Sequence, residues 1–110
     1  MTADVGSQLR KGVVEFCILG LLEREPLYGW LLSDALVSRG MIASIGTLYP
    51  ILGRFRAQGL VTTYDQASEA GPARKYYQLT PEGTTQLTTF RAQWTSFTAA
   101  VESFIGGDSP

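Results

Sequence analysis

The sequence predicts a mainly α, α+β domain: three helices, a two-stranded hairpin and a long C-terminal helix built to pair with another helix. Three observations carry this prediction. Apolar residues recur at three- and four-residue spacing in separate segments. Two short runs rich in β-branched and aromatic residues, divided by a turn-forming stretch, lie before the last helical segment. That last segment alternates spacings of three and four over six large apolar residues. With 110 residues, 45% of them hydrophobic and 17% charged, the chain fits one compact core and falls outside the disordered class.

Residues 1–7 are small and polar, and the expectation is a frayed start. From Gln8 to Glu23 the chain is nearly continuously apolar, a length that favours a buried helix over a strand. Pro26 ends it, because the residue before proline avoids the helical region. A second helix is predicted from about Tyr28 to Ser38, on the spacing of Leu31, Leu32, Ala35 and Leu36, with Gly40 in the left-handed position that closes it. Ser44 can cap a third helix running to about Gln58, and Gly59 ends it. Leu48, Ile51, Leu52 and Phe55 form its inward stripe.

The outer face of this third helix carries Gly46, Tyr49, Pro50, Gly53 and Arg54, with Thr47 at its edge. Glycine costs about 1 kcal/mol and an interior proline about 3 kcal/mol of helix propensity. Helix stability did not select this face; a surface stripped of bulk lets the backbone approach another flat macromolecule. Leu60 to Tyr64 reads as a strand, Gln66 to Pro72 as a turn and Arg74 to Leu79 as the returning strand. Tyr76 and Tyr77 alternate across that strand, so one of them packs inward. Thr80-Pro81 joins an N-cap to a proline at the first helical position. The helix that follows bears Leu87, Phe90, Trp94, Phe97, Val101 and Phe104, a narrow seam that wants a partner helix, and Gly106-Gly107 ends it.

Composition excludes several classes of function. The chain has no His, so no imidazole base or ligand is available. Cys17 is the single cysteine, which permits neither an internal disulfide nor a multi-thiolate metal site. Paired carboxylates in a pocket and a glycine-rich phosphate loop are both missing, so neither catalysis, a metal nor a cofactor is expected. No basic region precedes an apolar run, and the longest charge-free stretch, Gly40 to Gly53, is too short for a bilayer. A cytoplasmic protein without a membrane partner is expected. Net charge is −1, yet it is unevenly spread: from Arg39 to Lys75 five cations face two carboxylates, and from Pro81 onward one cation faces three.

Three helices, a hairpin and a further helix describe a winged helix-turn-helix, whose third helix enters the DNA major groove while the hairpin follows a flanking phosphate backbone. At this level the sequence resembles the PadR family of bacterial transcription regulators, in the short form with one C-terminal helix. The residues that carry the likeness are Leu27-Tyr28-Gly29, Gly46-Thr47-Leu48-Tyr49-Pro50-Ile51-Leu52, Gly59-Leu60 and Arg74-Lys75-Tyr76-Tyr77-Gln78-Leu79-Thr80-Pro81-Glu82-Gly83. It runs from about Gln8 to Val101. The resemblance implies a dimer that binds an operator, with residues 1–80 as the DNA-binding domain and 81–110 as the dimerisation helix and tail. Gly53 and Phe55 depart from the family pattern, which often has a basic residue and a leucine there. The wing tip, Gln66 to Gly71, carries Glu69 and no cation. Operator affinity would therefore lean on Arg54, Arg56, Arg74 and Lys75.

The candidate DNA contacts are Tyr28, Gly46, Thr47, Tyr49, Pro50, Arg54, Arg74 and Lys75. Hydroxyls of Thr47 and Tyr49 can reach phosphates or base edges beside a helix N-terminus that favours anions; Tyr49 can equally be a packed aromatic. Arg54 suits a phosphate or a guanine edge, and the alternative is a solvated arginine. Arg74 and Lys75 are placed on the wing, against phosphate. Tyr28 opens the second helix, where backbone amides can hold a phosphate, or packs on the third. The six seam residues are the expected dimer interface. Trp94 matches the position where, in the multidrug-binding branch of the family, a tryptophan pair sandwiches flat apolar ligands; Phe16, Cys17 and Phe97 would complete that site. The opposing reading has Trp94 filling a dimer core, and Cys17 as inert packing.

The function that follows is a homodimeric regulator of transcription, more often a repressor in this family, released from its double-stranded operator by a small aromatic or hydrophobic effector. The alternative is a winged-helix module whose glycine-lined face docks a protein.

Overall fold

The computed structural model describes residues 5–107. Of the expected frayed start, residues 1–4 lie outside that range, but Val5–Lys11 forms a helix, α1. The single helix expected from Gln8 to Glu23 is in fact two. Gly12 and Val13, both weak helix formers, make a turn in which the Val13 amide donates to the Arg10 carbonyl at 3.0 Å, and α2 runs over Val14–Arg24. Glu25, fixed before Pro26, is extended (φ −171°, ψ 155°). That extended geometry continues into a strand the apolar spacing did not reveal, β1 at Leu27–Tyr28.

Helix α3 spans Gly29–Ser38, closed by Gly40 at φ 73°, and α4 spans Ile45–Ala57, closed by Gly59 at φ 75°. Ser44 holds the N-cap position of α4, but its side chain makes no capping hydrogen bond. Strands β2 (Val61–Gln66) and β3 (Arg74–Leu79) form the wing. The sheet is antiparallel in the order β1-β3-β2, with Tyr28 opposite Tyr76 and Tyr76 opposite Tyr64. Tyr77 is the inward-packed member of the tyrosine pair.

The core is built from Ile18, Leu19 and Leu22 of α2, Leu32 and Leu36 of α3, and Leu48, Leu52 and Phe55 of α4, sealed by Val61 and Tyr77 of the sheet. Helix α5 (Pro81–Ile105) starts as its sequence predicts. The Thr80 hydroxyl accepts from the Gly83 amide at 3.0 Å and donates to the Gly59 carbonyl at 2.6 Å, so the start of α5 is tied to the end of α4. At 25 residues α5 is about 37 Å long, more than the core can cover.

One interface residue is relocated by the packing. Leu87 is buried in the protomer's own core and is not free to meet a partner helix. Phe90 lies face to face with Phe16 of α2, centroids 4.0 Å apart and planes 8° from parallel. The Arg91 guanidinium makes a two-pronged ion pair with the Glu23 carboxylate, at 2.7 and 3.1 Å. A heptad pattern reports which face of a helix is apolar; it does not distinguish a partner helix from the chain's own α2.

Candidate nucleic-acid interface

The outward face of α4 is open. Gly46, Thr47, Tyr49, Pro50, Gly53 and Arg54 are all exposed, while Leu48, Leu52 and Phe55 anchor the opposite side. Pro50 has no amide to donate to the Gly46 carbonyl one turn earlier, so this face combines low bulk with one fewer helix hydrogen bond. Tyr49 leans across the start of α3. A Cβ built on Gly29 would meet the Tyr49 Oη at 3.0 Å, so glycine there gives the phenol its seat. Tyr49 nonetheless stays about half exposed, at 51%.

The wing approaches the same place. The Arg74 guanidinium lies over the Tyr28 ring, 4.6 Å from its centroid. The Tyr28 ring meets Tyr76 edge-on at 5.4 Å, and Tyr76 stacks on Tyr64 at 5.5 Å. This rung of three tyrosines stiffens the strand ends and aims Arg74 without neutralising it, since a ring face attracts a cation but carries no charge of its own. Burial pushes the Tyr77 phenol above its ordinary value; Tyr49 adds to the rise and Arg56 opposes it. Tyr28, Trp30, Tyr49, Arg74 and Lys75 line one surface depression of about 450 Å³, and no carboxylate is among its lining residues. Four of the eight sequence candidates thus share one concavity.

Arg54, expected to lead on phosphate or guanine, is exposed, and its guanidinium is paired with the Glu15 carboxylate of α2. Spacing along α4 cannot show this, because Glu15 lies 39 residues away in sequence. Thr47 borders a separate groove that also contains Arg10 and Lys11, at the end of α1. Those two cations escaped the sequence reading because they sit far from the helix-turn-helix in the chain. Trp30 was also missed as a site residue. The signal was available: on the helical wheel it falls opposite Leu32 and Leu36, outside the core stripe.

The proposed effector residues divide. An open groove of about 720 Å³ between α1 and α5 is lined by Leu9, Val13, Phe90, Trp94 and Phe97 among others, mostly apolar. Phe16 stands behind it, stacked on Phe90. Cys17 faces a different groove, with Leu21, Leu36, Met41 and three arginines, and its partial burial raises the thiol pKa. Cys17 is exposed, so its reading as buried packing is corrected, as is its place beside Trp94. Among the described residues there is no cluster of three or more metal-ligating side chains, and no helix is long and apolar enough to cross a membrane.

Comparison with known proteins fits this architecture. The family model described as "Transcriptional regulator PadR-like family" matches residues 18–89. The chain is 35% identical over 81 residues to the transcriptional regulator Rv3488 of Mycobacterium tuberculosis, covering 74% of this chain and 75% of that protein. A crystal structure of a PadR-like transcriptional regulator from Bacillus cereus superimposes with a TM-score of 0.82 at 37% identity, over 92% of this chain and 99% of the other. A PadR family transcription regulator from Eggerthella lenta gives 0.80 at 33% identity, over 92% and 88%. With its winged helix-turn-helix, its long terminal helix and a family match over most of its core, this chain belongs to the PadR-like family of transcriptional regulators.

Proposed function

We infer that the chain is a homodimeric, sequence-specific DNA-binding repressor that acts in the cytoplasm and is relieved by a flat hydrophobic ligand. One observation carries the DNA reading: Tyr49, on the open face of α4, and the wing cations Arg74 and Lys75 line the same depression, with no carboxylate among its lining residues. The N-terminal half of α4 would enter the major groove, where Thr47 and Tyr49 reach base edges or phosphates, while Arg74 and Lys75 hold the flanking backbone. Residues 1–80 would form the reading module and 81–110 the dimerising one. Dimerisation is supported by the distal part of α5, where Trp94, Phe97 and Phe104 stay exposed at 41%, 61% and 87%. Each such ring gains roughly 1.5–3 kcal/mol when buried. A second copy, offering the same stripe, covers both.

Two copies joined through α5 would set two α4 helices about one DNA turn apart, roughly 34–36 Å. A planar apolar molecule between Trp94 and its mate would change that distance and lower operator affinity, which is relief of repression by population shift. The repressor reading follows the family resemblance, in which repression is the more frequent role. The test is a mobility-shift titration against the DNA upstream of the chain's own gene. Binding should prefer that sequence over scrambled DNA and weaken with salt by about 0.9 in log–log slope per phosphate contact. Arg74→Ala and Lys75→Ala should each lower that slope by about one contact. Equal affinity for scrambled DNA, or a slope indifferent to both substitutions, defeats the reading.

A further inference from the structure

Trp30 is an exposed indole that the fold itself does not explain. It stands at the second position of α3, 58% exposed, while that helix packs through Leu32, Ser33 and Leu36. No residue of α5 lines the depression it borders, so the face that would meet a second copy is elsewhere. The neighbours are two cations, Arg74 and Lys75, with no carboxylate among the lining residues. The first amides of α3 point the same way electrostatically: Tyr28 occupies the N-cap position without a side-chain cap, leaving the helix start with donors for an anion. The site therefore offers positive charge, uncapped amides and one flat apolar plate.

A sugar–phosphate backbone presents the complementary set, an anionic oxygen pair beside the apolar face of a deoxyribose. We propose that Trp30 is a DNA-contact residue, its indole packed on a deoxyribose of the backbone segment whose phosphates are held by Arg74, Lys75 and the start of α3. This rests on the DNA-binding reading above and adds to it a non-ionic contact. Because a backbone contact carries no sequence preference, it is testable without knowing the operator.

The probe is a 30-base-pair duplex of random sequence at low salt, titrated against the full chain while tryptophan emission is followed. The chain has two tryptophans, Trp30 and Trp94, so Trp30→Phe leaves Trp94 alone and the difference between the two titrations reports Trp30. Wild type should lose emission and become less accessible to acrylamide on binding, and this change should vanish in Trp30→Phe. Trp30→Ala should weaken duplex binding five- to tenfold with an unchanged salt slope, whereas Arg74→Ala lowers the slope. Trp30→Phe should stay within about threefold of wild type because it keeps an apolar ring, and circular dichroism confirms that both variants fold. Emission indifferent to saturating duplex, or Trp30→Ala within twofold of wild type, overturns the proposal and leaves the DNA reading intact; the latter result would reassign Trp30 to a protein partner. A wild-type chain that binds no duplex overturns both.

Discussion

The two halves of α5 carry the same apolar repeat and meet opposite fates. In the first half the large apolar groups have partners within the protomer, and the backbone lies close to the core. Gly83 sits so close to the α4–β2 turn that an added Cβ would stand 2.3 Å from the Leu60 carbonyl oxygen, Leu87 is buried, Phe90 stacks on Phe16, and Arg91 grips Glu23. Among the described residues, no hydrogen bond or ion pair ties a side chain of α5 beyond Arg91 to another element, and Trp94, Phe97, Phe104 and Ile105 are exposed. Helix α2 is only 11 residues long, about 16 Å, and cannot reach along a 25-residue helix. One element thus serves as core at its start and as a free edge at its end. A repeat of constant quality says nothing about where the first role gives way to the second.

The sharpest way to break that comparison is to truncate one residue in each half. Leu87→Ala removes a buried side chain from a closed core and should cost roughly 2–5 kcal/mol of protomer stability, visible in denaturant unfolding as a lower midpoint with an unchanged slope. Phe104→Ala removes a side chain that touches little within the protomer and should leave the stability of the isolated chain within about 0.5 kcal/mol. Comparable losses in both variants, measured at protein concentrations low enough to keep the chain monomeric, would mean that the distal half is packed after all.

The second half has its own test, smaller in energy but decisive for assembly. Phe97→Asp places a carboxylate in the exposed stripe, where a self-complementary interface would repeat it on both sides of the two-fold. Self-association, followed by sedimentation velocity, should weaken at least tenfold while the circular dichroism spectrum is retained. If Phe97→Asp associates as wild type does, the stripe is not the contact between copies and the spacing argument for paired α4 helices loses its basis.

How much of this was legible in the sequence follows from the range of each interaction. Local rules reach a few residues, and they located α3, α4, the wing and the Thr80-Pro81 start of α5, together with the left-handed Gly40 and the helix-ending Gly59. The strand β1 escaped because two residues are too few to show a period, and its pairing partner lies about fifty positions later. The break at Gly12-Val13 escaped because continuous hydrophobicity from α2 masked two weak helix formers. At the candidate site, exposure of the α4 face was readable from spacing, and Tyr28, Tyr49, Arg74 and Lys75 were named together from the winged-helix architecture and the family resemblance. The Arg54–Glu15 pair and the turning of Cys17 away from Trp94 were not, since both depend on how α2 is rotated against its neighbours.

The smallest expected effect sharpens the boundary between the two halves, because it lies at the last anchored residue. Hydrogen bonds from Arg91 hold the Glu23 carboxyl below the ordinary carboxylate range; desolvation opposes them, and the charge of Arg91 adds a smaller lowering. A depressed folded-state pKa means that the unfolded chain binds the proton more readily. The stabilisation is therefore complete above the unfolded value, about 4.3, and is lost as pH falls through the folded one. Arg91, raised by the same contact, stays cationic throughout this range, so Glu23 alone sets the window. Arg91→Ala should lower the Tm slightly at pH 7, and the gap from wild type should narrow as pH falls below about 4.3 and Glu23 takes up its proton. High salt at pH 7 should narrow the same gap, since both groups face solvent. A gap that persists unchanged at pH 3 would mean that Arg91 fastens α5 to α2 through the packing of its side-chain stem and not through the carboxylate.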